Sequence, residues 1–170
     1  MTQAASINTD QLQQQVQHLQ QVLQQAGNLG QLVNISTDES DALYQLGHGL
    51  YEQGRYSEAF KAFSLLTMTD HLNERNVQAL ASTAQMLERY EDALQHYTTL
   101  AVLRLDDPAP LFHSSECLVA LARIDDAIET LELAIEMDPE DQHGYAAKSR
   151  AILALLRQRN AEAGNQGSIQ

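Results

Sequence analysis

Alanine and apolar positions recur along the chain at a fixed separation of 34 residues. Ala59, Ala93 and Ala127 are 34 residues apart, and each is followed by a bulky apolar residue four positions later and another apolar residue seven positions later. Spacings of three and four place these side chains on one face of a helix. Three prolines and eight glycines in 170 residues leave few positions that would interrupt helices. The pattern predicts an all-α chain built from a repeated helical unit.

A second apolar series lies upstream of the first in each repeat, at the same period. Two short antiparallel helices cannot bury their apolar faces alone, so repeated pairs of this kind stack on one another. Stacked helices approach closely where one of them carries a small side chain. The upstream series has a small residue in the same place each time, at Gly47, Ala81 and Ser115.

The period and its slots resemble the tetratricopeptide repeat (TPR). The slots of the first copy read Leu43-x2-Leu46-Gly47-x2-Leu50 and then Ala59-x3-Phe63. The third copy ends with Pro139, where TPRs commonly carry proline. The resemblance implies three tandem TPR helix pairs in a right-handed superhelix, with an N-terminal helix and a C-terminal capping helix.

The predicted organisation has three parts. Residues 1–36 form a glutamine-rich helical segment, residues 37–160 the TPR domain, and residues 161–170 a disordered tail. Within the domain we place the repeats at 40–73, 74–107 and 108–141, and an amphipathic capping helix at 142–160.

The N-terminal segment has an apolar seam with alternating spacings of four and three. This is the pattern of a coiled-coil seam, although two heptads are too few to establish a coiled coil. Two interpretations stay open: a helix that caps the first repeat, or a helix for dimerisation or partner docking. The seam consists of Leu12, Val16, Leu19 and Leu23.

Composition excludes several classes of function. The formal net charge of −13 should repel nucleic-acid backbones and anionic lipid surfaces. No apolar run approaches the ~18 residues of a transmembrane helix, and the N-terminus lacks the pattern of a secretory signal. The only cysteine, Cys117, fits a reducing cytoplasm.

The sequence also lacks the residues of a catalytic centre. His113, Glu116 and Cys117 are close enough in a helix to meet one metal ion, but a structural zinc site needs four ligands. No phosphate-binding glycine loop and no nucleophile with a supporting base is present. We therefore predict a protein that is not an enzyme and has no catalytic, cofactor or metal site.

A finer resemblance, over about residues 30–140, is to the class II chaperones of type III secretion, the translocator chaperones of the LcrH/SycD type. It rests on the stretches Ile35-Ser36-Thr37-Asp38, Leu43-Tyr44-Gln45-Leu46, Tyr51 to Ala59, Asp70-His71 and Phe112 to Leu118. The resemblance implies a cytoplasmic chaperone of a Gram-negative bacterium that keeps hydrophobic, pore-forming translocators soluble and secretion-competent. It implies no cofactor, and a homodimer when no client is bound.

TPR geometry places the partner on the inner, concave face, which the first helix of each repeat lines. Tyrosines one turn apart can pack apolar side chains and also hydrogen-bond a backbone. The predicted partner-binding residues of this concave groove are Tyr44, His48, Tyr51, Gln78, Ser82, Gln85, Met86, Phe112, Glu116 and Val119.

Two other protein-binding roles compete with the chaperone. A TPR clamp for the acidic end of a heat-shock protein needs several basic groove residues. Positions 2, 5, 9, 12 and 13 of each repeat point inward, and among them only Arg75, at position 2 of the second repeat, is basic. A TPR scaffold or regulatory adaptor for another protein is compatible with the sequence, and it stays the alternative hypothesis.

Overall fold

The computed structural model describes the backbone of residues 35–166 and the side chains of residues 35–159. In this part of the chain all regular structure is helical, so the predicted all-α class is confirmed. The predicted N-terminal helix and its seam lie outside the described residues. The described helices are α1 (Thr37–Glu52), α2 (Tyr56–Thr69), α3 (Glu74–Met86), α4 (Tyr90–Leu103), α5 (Ala109–Ala120), α6 (Ile124–Met137) and α7 (Ala146–Gln166).

The chain divides into two compact units, with the boundary between Ala79 and Leu80 in α3. In the first unit, α1 packs against α2. In the second unit, α4 packs against α5, α5 against α6, and α6 against α7. Within the described residues no helix combines the length and the apolar character that crossing a bilayer requires.

The small residues predicted at the helix contacts are buried. In the first unit Gly47 on α1 faces Phe63 on α2, and a Cβ atom built on Gly47 would lie 2.8 Å from Phe63 Cε1. Phe63 is itself only 1% exposed, so it has little room to move away. The other small residues of the two series have no exposed surface: Ala59, Ala81, Ala93, Ser115 and Ala127.

The turn between the helices of each repeat uses one backbone conformation three times. Gly54, Glu88 and Ala122 occupy the same slot and all have positive φ, at 74°, 59° and 58°. In each case the next residue is an arginine whose backbone N–H bonds a carbonyl five residues back, at 2.9 Å. That arginine also pairs with an acidic side chain in the first turn of the following helix. Only the first turn has the glycine that this conformation favours.

A capped turn sets the start of α7. The buried Asp138 accepts hydrogen bonds from the backbone N–H groups of Gln142 (2.7 Å) and His143 (2.9 Å). Burial alone would raise the pKa of Asp138, but these donors outweigh it and the pKa is lowered. Because Gly144 then takes a positive φ of 74°, the helix cannot begin at 142 as predicted. It begins at Ala146, and it continues to Gln166, six residues beyond the predicted end.

We predict opposite effects for alanine at two glycines of α1. Gly47→Ala should lower the free energy of unfolding by about 1 kcal/mol or more, because the new Cβ would overlap the Phe63 ring. Gly49→Ala is the matched control. A Cβ at Gly49 meets nothing within 4 Å, so this change should stabilise the helix by ~0.5–1 kcal/mol. Urea unfolding followed by circular dichroism measures the free energy of unfolding of both variants. The same change in both would contradict a close contact between Gly47 and Phe63.

The repeated turn gives a second pair of predictions. Ala122→Gly should raise the free energy of unfolding by about 0.5–1 kcal/mol, because it relieves a left-handed conformation that costs an alanine ~1–2 kcal/mol. The reverse change, Gly54→Ala, introduces that cost in the first repeat and should destabilise by a similar amount. Thermal unfolding of both variants is the measurement. A lower melting temperature for Ala122→Gly would contradict the left-handed conformation assigned to this turn position.

Candidate functional site

One face of α1 carries an aromatic row in the first unit. Tyr44, His48 and Tyr51 are spaced by four and three residues, so they lie along the same side of the helix. The rings of Tyr44 and His48 are 6.3 Å apart and nearly parallel. The His48 side chain is 51% exposed, with Nδ1 3.7 Å from a carboxylate oxygen of Glu52. The structure thus brings together the three predicted residues of the first repeat.

Tyr44 is held between other side chains of the same unit. Its ring is 5.4 Å from the buried ring of Phe63. The Arg75 guanidinium carbon lies 3.5 Å from the Tyr44 ring centroid, a cation–π contact. Arg75 Nη1 is also 3.3 Å from Asp41 Oδ1, one turn before Tyr44. Arg75 therefore covers a face of the ring that sequence reasoning had assigned to a partner.

Tyr51 is partly buried at the other end of the row. Its ring contacts Tyr56, the first residue of α2, edge-on at 5.2 Å. Burial, with a smaller contribution from Tyr56, raises the pKa of Tyr51, so its hydroxyl stays a hydrogen-bond donor at neutral pH. Gln78, the remaining predicted residue of this unit, is exposed.

In the second unit, the predicted residues Ser82 and Gln85 meet a buried tyrosine. Tyr97 on α4 is 2% exposed, and its hydroxyl lies 2.8 Å from Gln85 Oε1 and 3.3 Å from Ser82 Oγ. The Gln85 amide donates to Glu116 Oε2 on α5 at 3.2 Å. Sequence reasoning had placed Tyr97 in a packing slot, and its slot alone did not indicate the hydroxyl contacts.

Glu116 is a half-buried carboxylate that neighbouring groups satisfy. Its Oε2 lies 2.8 Å from His113 Nδ1, in addition to the Gln85 contact. Burial would raise the pKa of Glu116, but the hydrogen bonds from His113 and Gln85, together with the nearby positive charge of Lys148, lower it. The carboxylate is therefore ionised at neutral pH, and its hydrogen-bond partners stabilise the negative charge.

Aromatic rings surround His113. Its ring stacks on Tyr97 at 5.3 Å and meets Tyr145 edge-on at 5.8 Å. The Lys148 ammonium lies 4.6 Å from the Tyr145 ring centroid. Tyr145 and Lys148 both lie in the predicted capping segment 142–160, and the sequence does not indicate that Tyr145 contacts His113 or that Lys148 contacts Tyr145.

Phe112 differs from its predicted role in the groove. It is 6% exposed and belongs to the hydrophobic core of the second unit. Tyr145, in the segment before α7, packs on its ring at 5.3 Å. Phe112 therefore supports His113 and Tyr145 from within the core and offers a partner almost no surface. The other members of that core are Leu118, Ala127, Leu131, Leu153 and Leu156.

The two remaining predicted residues of this unit have different environments. Met86 ends α3 and is 46% exposed, so its flexible side chain is available for contact. Val119 is partly buried against the hydrophobic core. The first unit presents aromatic groups and the second presents aromatic and amide groups. In each unit the charged side chains beside these groups are paired with other side chains.

In residues 35–159 the side chains with reactive groups are not gathered into one centre. Among the described residues there is no group of three His, Cys, Asp or Glu side chains that could hold a metal ion. Cys117 is fully buried, and burial, with the charge of Glu116, raises the pKa of its thiol to about 12. A thiol of that pKa is not a nucleophile at neutral pH.

Comparison with known proteins identifies the repeat and the relatives. Two tetratricopeptide-repeat family models match, one at residues 40–73 and one at residues 110–141. The low calcium response locus protein H of Yersinia pestis is 30% identical over 119 residues, which is 70% of this chain and 71% of that protein. The chaperone protein SicA of Salmonella typhimurium is 26% identical over 128 residues, 75% of each chain.

Solved structures give the same relationship. The type III secretion translocator chaperone SycD of Yersinia enterocolitica matches with a TM-score of 0.67 and 28% identity, covering 79% of this chain and 94% of SycD. PcrH, solved with the chaperone-binding region of PopD, matches with a TM-score of 0.68 and 31% identity, covering 75% and 97%. SicA and SycD are chaperones, which confirms the prediction of a protein that is not an enzyme. The chain belongs to the TPR family of type III secretion translocator chaperones that includes low calcium response protein H, SycD and PcrH.

Proposed function

We propose that this chain binds hydrophobic translocator proteins of a type III secretion system and keeps them soluble and competent for secretion. The solved relatives support the class of client: PcrH was crystallised with the chaperone-binding regions of PopD and PopB, and SycD with a peptide of the translocator YopD. A partner of this class would present extended apolar segments to the chaperone.

The aromatic row on α1 is the observation that carries the proposal. Tyr44 and Tyr51 are partly buried, so each ring is fixed by packing while part of its surface faces solvent. A tyrosine in this setting can pack an apolar side chain and use its hydroxyl to bond a client backbone. Because the rings are already ordered, binding a client loses little side-chain entropy at these positions.

Binding through such a row would be reversible. An apolar client side chain that becomes buried contributes ~1.5–3 kcal/mol, and ordering of a flexible client segment consumes part of that gain. A few anchors therefore give an affinity that solubilises the client and still permits release. Release is required if the client is to be secreted.

The second unit offers a surface of a different kind. His113, Glu116 and Gln85 form a continuous hydrogen-bonded chain of partly exposed groups. Amide and imidazole groups of this sort can bond the backbone of an extended segment. Met86 supplies an adaptable apolar contact on the same unit. We propose that client main chain and small apolar side chains bind here.

We further propose that the chain works in the bacterial cytoplasm and forms a homodimer when no client is bound. The reducing environment suits the single thiol of Cys117. Dimers are known for the relative SycD, one of whose structures is described as an alternative dimer. The predicted seam Leu12, Val16, Leu19 and Leu23 is the candidate dimerisation element.

Removal of both tyrosines should strongly reduce client rescue. When the chain is co-expressed with candidate translocators, we expect its client to become soluble and to co-purify. Tyr44→Ala/Tyr51→Ala removes two anchors of ~1.5–3 kcal/mol each, so co-purification should fall at least tenfold. Yield of soluble client, normalised to chaperone, is the measurement.

Tyr90→Ala is the matched control, because Tyr90 is a partly buried tyrosine at the same turn slot as Tyr56 and outside the proposed surface. Circular dichroism must show that every variant retains its helicity. Unchanged client rescue by the double variant would refute the assignment of the client to this row.

The dimerisation element has its own test. Charges at Leu19 and Leu23 would have to be buried in a helical seam, so Leu19→Asp/Leu23→Asp should convert a dimeric parent to monomer. Light scattering coupled to size exclusion measures the mass of the client-free protein. An unaltered dimer mass would exclude this seam as the interface, while client rescue by the same variant tests whether dimerisation is separable from binding.

A further inference from the structure

Arg75 lies on the tyrosine that the proposed function assigns to a client. It is the second residue of α3, its side chain is 47% exposed, and its guanidinium carbon is 3.5 Å from the Tyr44 ring centroid. Asp41 Oδ1 fixes the same guanidinium at 3.3 Å. Asp41 and Tyr44 are one turn apart on α1, so two neighbouring groups of one helix contact the same guanidinium.

This arrangement differs from the arginine pairs at the turns of the repeats. Arg55 and Arg123 each pair with an acidic residue three positions later, at the start of their own helix. Arg75 instead reaches a residue 34 positions away on another helix and covers an aromatic face. An ion pair with partners 47% and 64% exposed adds little to stability. The stability gained from this ion pair therefore does not explain why Arg75 lies over the Tyr44 ring.

We propose that Arg75 is an internal occupant of the Tyr44 ring face, and that an apolar client side chain must displace it in order to bind there. This inference rests on the proposed function. The ring also contacts Phe63 and His48. Phe63 is buried and has little room to move, whereas the Arg75 side chain is about half exposed. The face that Arg75 covers is thus the part of Tyr44 that a client could take over.

Displacement of Arg75 from the ring has a low energetic cost, because water can solvate the guanidinium instead. Arg75 is about half exposed, and its long side chain can return its charge to water while the Asp41 carboxylate remains close. When the client leaves, the arginine covers the ring again. The apolar face is then not left open to solvent or to a second hydrophobic chain.

A different role for Arg75 would be to bind a client carboxylate or carbonyl directly. The surrounding charges argue against a carboxylate, because Asp41 already pairs with the guanidinium and Glu52 lies beside His48 on the same helix. The two roles predict opposite effects when the arginine is removed, so one experiment separates them.

The experiment measures binding of the chaperone-binding regions of PopD, PopB and YopD, as synthetic peptides, to the full-length protein by calorimetry. Arg75→Ala is compatible with the fold, since Ala109 occupies the same slot of the next repeat. It should tighten Kd about threefold to tenfold, a gain of ~0.7–1.4 kcal/mol. Asp41→Asn, which only loosens the arginine, should give a smaller gain in the same direction.

Three controls make the result specific. Arg123→Ala removes the same positive charge as Arg75→Ala. Arg123 pairs with Asp126 at a turn, so this substitution should leave Kd unchanged. In a Tyr44→Ala background, Arg75→Ala should give no gain, because the contested face is absent. Nuclear magnetic resonance of the wild type should show ring-current-shifted Arg75 side-chain protons in the free protein that lose their shift in the complex.

Weaker or unchanged binding by Arg75→Ala, or a ring-current shift that persists in the complex, would overturn the displacement while leaving the proposed function intact. Normal peptide binding by Tyr44→Ala would instead remove the client from this surface, and the inference would fall with it. Failure of the wild type to bind any of the three regions would count against the proposed function itself.

Discussion

The close approach of paired helices is the constraint on which the rest of the structure depends. It is clearest where Gly47 faces Phe63, because a methyl group there would lie within 2.8 Å of the ring. With that spacing fixed, Phe63 lies 5.4 Å from Tyr44 and orders it from one side. Tyr44 in the aromatic row is therefore positioned by the close approach at a buried glycine, and its order is a consequence of packing within the unit.

The repeated turn shows that packing, more than local sequence preference, dictates the backbone. Glu88 and Ala122 take the left-handed conformation that Gly54 takes at no cost. The surrounding contacts must outweigh a local cost of ~1–2 kcal/mol at both places. Each following arginine secures the next helix through its backbone bond and its acidic partner. A conformation that sequence preference disfavours is thus held by features that recur every 34 residues.

Periodicity made the fold predictable, and contacts between distant residues limited what could be predicted of the site. The small and large slots, from Gly47 to Ala127, are buried as expected because stacking requires them to be. Phe112 was assigned to the partner surface by its slot, but Tyr145 covers its ring, and slot rules derived from one repeat do not include the segment that follows the last one. The Arg75–Tyr44 contact and the Asp138 cap likewise depend on side-chain placement, which periodicity does not specify.

Both candidate surfaces solve the same physical problem. A protein that binds hydrophobic segments must expose apolar or aromatic groups to them, and it must not aggregate through those groups when the client is absent. In the first unit a cation covers the aromatic ring; in the second, Tyr97 is buried beneath Gln85, and His113 and Gln85 share the charge of Glu116. The net charge of −13 also favours solubility. Because the Tyr44 ring and the Glu116 carboxylate already have partners within the protein, a client that binds at either place, as proposed, would exchange one partner for another, and such an exchange favours reversible binding.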